Sequence, residues 1–357
     1  LSQSDDTFVE GYLQALLDMH YYEFKLHVKV QDKKATLYNL PTNSVTGSSI
    51  VRFVEDFPGI EVVQTYNERE LAIAKEQGEI KPEDGVIALT EPIDDPDSVK
   101  SIWFPQSTML FPYPVADPHR VAYSLSVRRE EKGTFNDTGT VVASFGDTFP
   151  IKRWLNVGPF YGDLQLSIDG AAWGYFEQNS EQELINTDYY VGIPISYAFD
   201  DWSFRLRYYH MSSHLGDEYM VSNPTVTRLN PSMEALDFLA SRYINSSWRV
   251  YGGLGYIIRS DSSFPLDKMY LEGGVECRPP EATKVINHIH FQPYWALHSR
   301  SSQYDGWNMD YTANIGYEMS KLQNIGRKVR LFLELHDGRS YQGQFAKERQ
   351  KHVSFNL

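Results

Sequence analysis

From about residue 118 to the end of the chain, apolar and polar residues alternate. The longest unbroken run is 307–319. Trp307, Met309, Tyr311, Ala313, Ile315, Tyr317 and Met319 fall on one side, and Asn308, Asp310, Thr312, Asn314, Gly316 and Glu318 on the other. A helix repeating every 3.6 residues cannot produce this order, whereas a strand places successive side chains on opposite faces. The run exceeds the five or six residues usual for a globular strand, and it is long enough to cross a bilayer at a tilt, which takes about 9–11 residues. Similar apolar faces run from Val121/Tyr123/Leu125/Val127 and Val141/Ala143/Phe145, through Phe204/Leu206/Tyr208 and Leu236/Phe238/Ala240, to Val353/Phe355/Leu357, twelve strands in all. The opposite faces carry Arg205, Arg207, Arg249, Arg259, Glu272, Glu276 and Glu318. The pattern predicts a mainly β protein, an antiparallel transmembrane β-barrel of about twelve strands preceded by a small α/β domain. An even strand number suits a bacterial single-chain barrel. Alternation alone does not say which face meets water, so a soluble β-rich domain is the rival. Short connections near 199–201 and 242–247, with longer ones at the opposite end, favour the barrel. The stretch after Phe145 looks long for a turn at the short end.

Residues 8–65 follow a different rhythm. Phe8, Leu13, Leu16 and Leu17 suit one face of a helix. Phe24, Leu26, Val28 and Val30 alternate as a strand, and Ala35–Tyr38 forms a second. Ser48 or Ser49 is the expected cap of a helix through Ile50, Val51, Phe53 and Val54, which Pro58-Gly59 ends before a strand at Ile60–Val63. This order, with its PGIEVV return, resembles a BON-type domain. The resemblance implies a periplasmic binding or anchoring module, with a protein partner held through residues 8–65 and no catalytic residues. Any other small α/β domain is the alternative. Residues 66–117, rich in acids and interrupted by Pro82, Pro92 and Pro96, read as a linker, which makes the expected units 1–65, 66–117 and 118–357.

Composition narrows the class. Aromatic residues make up 14% of the 357, too many for a disordered chain. No run approaches the 18 or so apolar residues of a membrane-spanning helix. A net charge of −14 excludes nucleic acid as a partner. The lone Cys277 cannot form an internal disulfide, so cysteine usage says nothing of the compartment. The chain begins at Leu1, which is compatible with a leader already removed.

The densest chemistry lies in YYHMSSHLGDEY, residues 208–219, at the end of the fifth barrel strand. Together with LFPYPVADPHR, SFGDTFPI, WRVYGGLGY and DGRSYQGQF, this run resembles the uncharacterised outer-membrane family called domain of unknown function 1207, over about residues 104–357. The resemblance implies a barrel in the bacterial outer membrane and no established activity. Within the run, His210-x-Ser212 resembles outer-membrane phospholipase A and the lipid A deacylase, in which His activates Ser from the lipid-facing side. The phospholipase continues Asn-Gly after Ser, where this chain has Ser213 and His214. Parity puts His210 and Ser212 on the face of Leu206 and Tyr208, and Glu234 on the outward face of the neighbouring strand. A nucleophile needs a base within reach, and the base needs an orienting acid. Ser212, His210 and Glu234 are therefore the candidate catalytic residues for hydrolysis of an acyl ester in outer-leaflet lipid. The plainer reading has His210 and Ser212 bonding headgroups, water or loop backbone in a non-catalytic barrel, either a narrow channel or a scaffold with a periplasmic partner. Asp217 and Glu218, with His214 beside them, are candidate oxygen ligands for Ca²⁺. On the inward faces, Arg205 and Arg207 are expected to meet Glu272 or Glu276, while His288 and His290 have a spacing able to hold a transition metal. Cys277 falls on the outward face as a small buried hydrophobe.

Overall fold

The structure is a computed structural model. It describes residues 3–21, 24, 26–40, 45–55, 57, 59–67, 70, 100–105, 109–135, 139–178, 183–227, 229–287, 289–320 and 328–357.

The N-terminal unit comprises α1 (Gln3–Tyr21), β1 (His27–Gln31), β2 (Lys34–Leu40), α2 (Val45–Glu55) and β3 (Val62–Asn67). Strands β1 and β2 form a hairpin whose turn residues, Asp32 and Lys33, have φ of 48° and 62°. That is the left-handed pair which matches the twist of a two-residue hairpin. Strand β3 then lies parallel to β2. Leu13 and Leu17 of α1, Val28 of β1, Leu37 of β2 and Phe53 and Val54 of α2 form the core. Three local expectations shift. Phe8 is 73% exposed and stacks on Tyr12 rather than joining the core. Strand β1 begins at His27, after Phe24. Helix α2 begins at Val45, so Ser48 and Ser49 lie within it and do not cap it.

The rest of the described chain is almost entirely sheet. Its strands are β4 (Lys100–Trp103), β5 (Ser124–Lys132), β6 (Gly139–Val157), β7 (Gly162–Glu177), β8 (Leu184–Phe199), β9 (Trp202–Leu215), β10 (Ser232–Tyr243), β11 (Trp248–Ser260), β12 (Met269–Cys277), β13 (Lys284–Ile286), β14 (Ile289–Ser302), β15 (Met309–Ser320), β16 (Val329–Arg339) and β17 (Arg349–Asn356). Strands β5 to β12 and β14 to β17 pair antiparallel with their neighbours, and β17 pairs with β5, closing a twelve-stranded barrel. Strand β4 adds to β6, and β13 to β14.

The faces are inverted relative to a soluble protein. Outward Leu254, Ile315 and Leu335 are 46%, 63% and 55% exposed, while inward Arg153, Arg205 and Arg249 are at most 1% exposed. An apolar belt around the whole wall, over an ionic interior, has lipid as its natural solvent. This removes the soluble rival.

Two features escaped the alternation. Strand β6 runs on to Val157, past Phe145, through register shifts at Pro150/Lys152 and Trp154/Val157. Each shift breaks the period of two. The connection that looked long is therefore the tight turn 158–161, in keeping with 200–201 and 244–247 at the same end. At that end the Arg52 guanidinium of α2 lies 6.0 Å from the Tyr243 ring.

The second feature is a strap through the lumen. Leu110, Phe111, Val115 and Ala116 are buried. Phe111 packs with inward Leu239 and Tyr251, and Val115 and Ala116 with Tyr294, Ala296 and Phe332. The stretch expected to end the linker thus lies inside the barrel. Without a strand's periodicity, LFPYPVADPHR gave no local sign of this.

Candidate active site on the outer face

Burial alternates along β9. Ser203, Arg205, Arg207, Tyr209, Met211 and Ser213 face in, while Leu206, Tyr208, His210 and Ser212 face out. Register then brings the outward residues to their neighbours. On β10, Glu234 lies directly opposite His210 and Ser232 opposite Ser212. On β8, Val191 flanks His210 and Tyr189 flanks Ser212. His210 Nδ1 is 3.8 Å from Glu234 Oε1, with the two side chains 38% and 20% exposed. Glu234 Oε1 also accepts from Arg259 Nη2 on β11. A register shift between Glu234 and Ala235 pairs Glu234 with Arg259 but Ala235 with Ile257. Ile257 faces in and Ile258 out, so the shift leaves Arg259 outward as well. The expectation that Arg259 faces the lumen is corrected: parity counted from Leu254 and Tyr256 fails at the bulge.

The outer face therefore carries a row of polar groups: Ser212 and His210 on β9, Glu234 on β10, Arg259 on β11. With Nδ1 turned to the carboxylate, the imidazole leaves Nε2 for a nucleophile. Among the described residues, no hydrogen bond joins Ser212 Oγ to His210. Catalytic hydrogen bonds are often long in ligand-free sites and tighten only when substrate binds.

The inward side holds this part of β9 rigid. Ser213 Oγ donates to Asn186 Oδ1 at 2.8 Å, and Asn186 Nδ2 to Asp188 Oδ1 at 2.9 Å. Asp188 also accepts the Gly343 N–H at 3.1 Å. Gln344 Nε2 donates to the Ser213 carbonyl at 2.9 Å and to that of Leu229 at 3.2 Å. Phe345 packs near Phe135 and Tyr219. The SSHLGDEY and DGRSYQGQF runs thus meet over one mouth of the barrel.

Deeper in the lumen, ion pairs close on one another and on the strap. Arg205 and Arg207 share Asp237, with Arg205 also 4.0 Å from Glu272. Arg249 Nη1 pairs with Glu276 at 3.2 Å, and its Nη2 donates to the Pro112 carbonyl at 2.6 Å. Glu276 accepts the Val115 N–H at 2.8 Å, and Asn314 Nδ2 donates to the Val115 carbonyl at 3.0 Å. Of the expected arginine–carboxylate contacts, Arg205 reaches Glu272, while Arg207 pairs with Asp237, the shared acid that the sequence reading missed. Its signal was its inward parity between Leu236 and Phe238.

Among the described residues, no hydrogen bond or ion pair joins Asp217 or Glu218 to Ser212, His210 or Glu234. Asp217 and Glu218 are exposed in the first turn of α3 (Asp217–Ser222). Acids there complement the positive end of a helix. Among the described residues, no group of three His, Cys, Asp or Glu is arranged to hold a metal. Ca²⁺ takes six to eight oxygens, which this pair does not supply. His214 faces outward near Tyr189, with ring centroids 6.0 Å apart. His288 lies outside the described residues. Cys277 is buried, paired in register with Trp248 and Trp295 on either side.

Comparison with known proteins follows the same lines. No curated protein matches the chain. The outer membrane phospholipase A from Escherichia coli is similar in structure at 14% identity, covering 67% of this chain and 91% of its own, with a TM-score of 0.45. LpxR from Salmonella typhimurium is similar at 10% identity, covering 66% and 98%, with a TM-score of 0.32. The KdgM porin is similar at 8% identity, covering 66% and 97%, with a TM-score of 0.34. Each similarity is one of barrel architecture. In sequence, residues 23–357 match the family described as "Protein of unknown function (DUF1207)", a span that takes in most of the α/β unit as well as the strap and the barrel. The chain belongs to that family.

Proposed function

We propose that this is a bacterial outer-membrane enzyme that hydrolyses acyl esters of outer-leaflet lipid from the outer face of its barrel. The observation that carries this reading is the His210–Glu234 pair, in direct register on the lipid-facing surface with Ser212 two residues along the same strand. In this mechanism Ser212 Oγ attacks the ester carbonyl carbon as His210 Nε2 takes its proton. The tetrahedral adduct collapses, the ester C–O bond breaks, and His210 returns the proton to the leaving alkoxide. Water, deprotonated by the same imidazole, then releases the fatty acid from Ser212. Glu234 fixes the imidazole and stabilises its charged form. A charge facing lipid costs about 2–4 kcal/mol at the bilayer midplane but little near its surface, and all three residues lie toward the long-loop ends of their strands. With the α/β unit at the opposite end, in the periplasm, that surface is the outer leaflet.

A second reading is a non-catalytic scaffold, in which a BON-like α/β unit binds a periplasmic protein. The filled lumen favours a scaffold over a channel. Acyl release from phospholipid and lipid A by detergent-folded protein separates the readings. Wild type is expected to release fatty acid, while Ser212→Ala and His210→Ala release none and keep the heat-modifiable gel shift of a folded barrel. No release by folded wild type would favour the scaffold.

A further inference from the structure

The catalytic row does not end at Glu234. The bulge opposite Glu234 turns Arg259 out of the lumen series and onto the outer face, where its side chain is 74% exposed. Bulges re-aim side chains beside functional sites. Arg259 spends Nη2 on Glu234, and a guanidinium offers five donors, so most of its fork remains for a second acceptor. Asp261, two residues further along the chain, does not fill that role. Asp261 Oδ1 accepts from the Ser263 N–H at 2.9 Å and hydroxyl at 2.7 Å, and its Oδ2 from Asn230 Nδ2 at 3.0 Å. Lys268 adds a second exposed cation, its Nζ 5.4 Å from the centroid of outward Tyr256. Arg259 stands in register with Glu234 and His210, two strands from the latter, and Ser212 lies two residues further along β9, which puts it about 12 Å from Arg259 at the usual strand spacing and rise. That gap suits a lipid whose phosphate and first ester carbonyl lie a few bonds apart, once the arginine side chain has reached across.

We infer that Arg259 is a phosphate-binding residue that selects phosphate-bearing lipids and sets their ester toward Ser212. The inference rests on the proposed hydrolase for its consequence, but its binding half stands alone. Arginine recognises phosphate through its planar fork, which a bare point charge reproduces only in part.

The test uses Ser212→Ala protein, folded in detergent, so that no lipid is consumed. It is offered equimolar dioleoylphosphatidylglycerol and dioleoylglycerol, which differ in the phosphate headgroup, and bound lipid is read by native mass spectrometry. Retention of the phosphate lipid is expected to exceed that of dioleoylglycerol by about tenfold, the factor of roughly one charge-assisted hydrogen bond. Adding Arg259→Gln is expected to abolish the preference, and Arg259→Lys to keep part of it. Equal retention of both lipids, or a preference indifferent to Arg259→Gln, overturns the inference. Lipid A as a third arm separates the two sources of phosphate, since the lipid kept in greater amount is the one the site was built for. Because the readout needs no turnover, a wild type that hydrolyses nothing would remove the proposed function and leave the phosphate site to stand or fall on its own.

Discussion

Strands β9, β10 and β11 carry two ionic groups that differ only in which way they point. Inward, Arg205 and Arg207 enclose Asp237, with all three at most 8% exposed. Outward, a few residues along the same strands, His210, Glu234 and Arg259 form a chain whose members are part-exposed and only part-satisfied. The inner group spends its charges on itself and on the strap. The outer group leaves part of the Arg259 fork facing outward, with the Ser212 hydroxyl on the same face, at a surface where each polar atom needs a reason.

This contrast can be broken from either side. The largest stability effect should come from Asp237→Ala, which strands two buried guanidinium groups. Removing one partner of a buried ion pair costs about 3–5 kcal/mol, and the heat-modifiable band should disappear at a clearly lower temperature. Glu234→Gln should do the opposite. It should leave that temperature nearly unchanged, because exposed pairs contribute about 0–1 kcal/mol, yet lower kcat for ester hydrolysis about a hundredfold by weakening the base. Gly343→Ala tests whether the inner side supports the outer one. A Cβ there would sit 2.5 Å from Ser213 Cβ and 3.2 Å from Asp188 Oδ1, and overpacking of this kind costs about 1–3 kcal/mol. Hydrolysis should fall with it, through displacement of the residue next to Ser212.

The smallest effect belongs to the α/β unit, outside the barrel. Burial pulls His27 below the ordinary histidine value of 6.5, against the opposing pull of Glu10. A base whose folded pKa is lowered contributes stability that is present above 6.5 and lost as pH falls through 6.5 toward the folded value. Thermal melting of the helical circular dichroism signal in the full chain should therefore soften below pH 6.5, and His27→Gln should flatten that dependence.

Much of this was legible in the sequence, because a strand in a barrel wall declares its two faces by parity. The outward placement of His210, Ser212 and Glu234 follows from Leu206, Tyr208 and Leu236 alone. What parity cannot see is a residue inserted into the count. The shifts around Pro150 hid the second half of β6, and the bulge opposite Glu234 sent Arg259 to the wrong face. Parity is also silent on chain that is not in the wall. The strap has no period, and its partners, Asp169, Arg249, Glu276 and Asn314, are spread over β7, β11, β12 and β15. For Asp217 and Glu218, which neighbouring position suggests as a ligand pair, the first turn of a helix supplies a second reason to be acidic.

The strap also has a consequence for how the molecule is put together. It leads directly into β5, and β5 meets β17 at the seam where the first and last barrel strands join. Once that seam zips, residues 110–120 can no longer be threaded in from the side. A wall that closed around an empty lumen would leave Arg249, Glu276 and Asn314 facing water in place of backbone. If the strap enters from the side, it has to be in place before the final strand pairs with β5. Filling and closing are then a single assembly step, with the interior serving as the template on which the wall is wrapped.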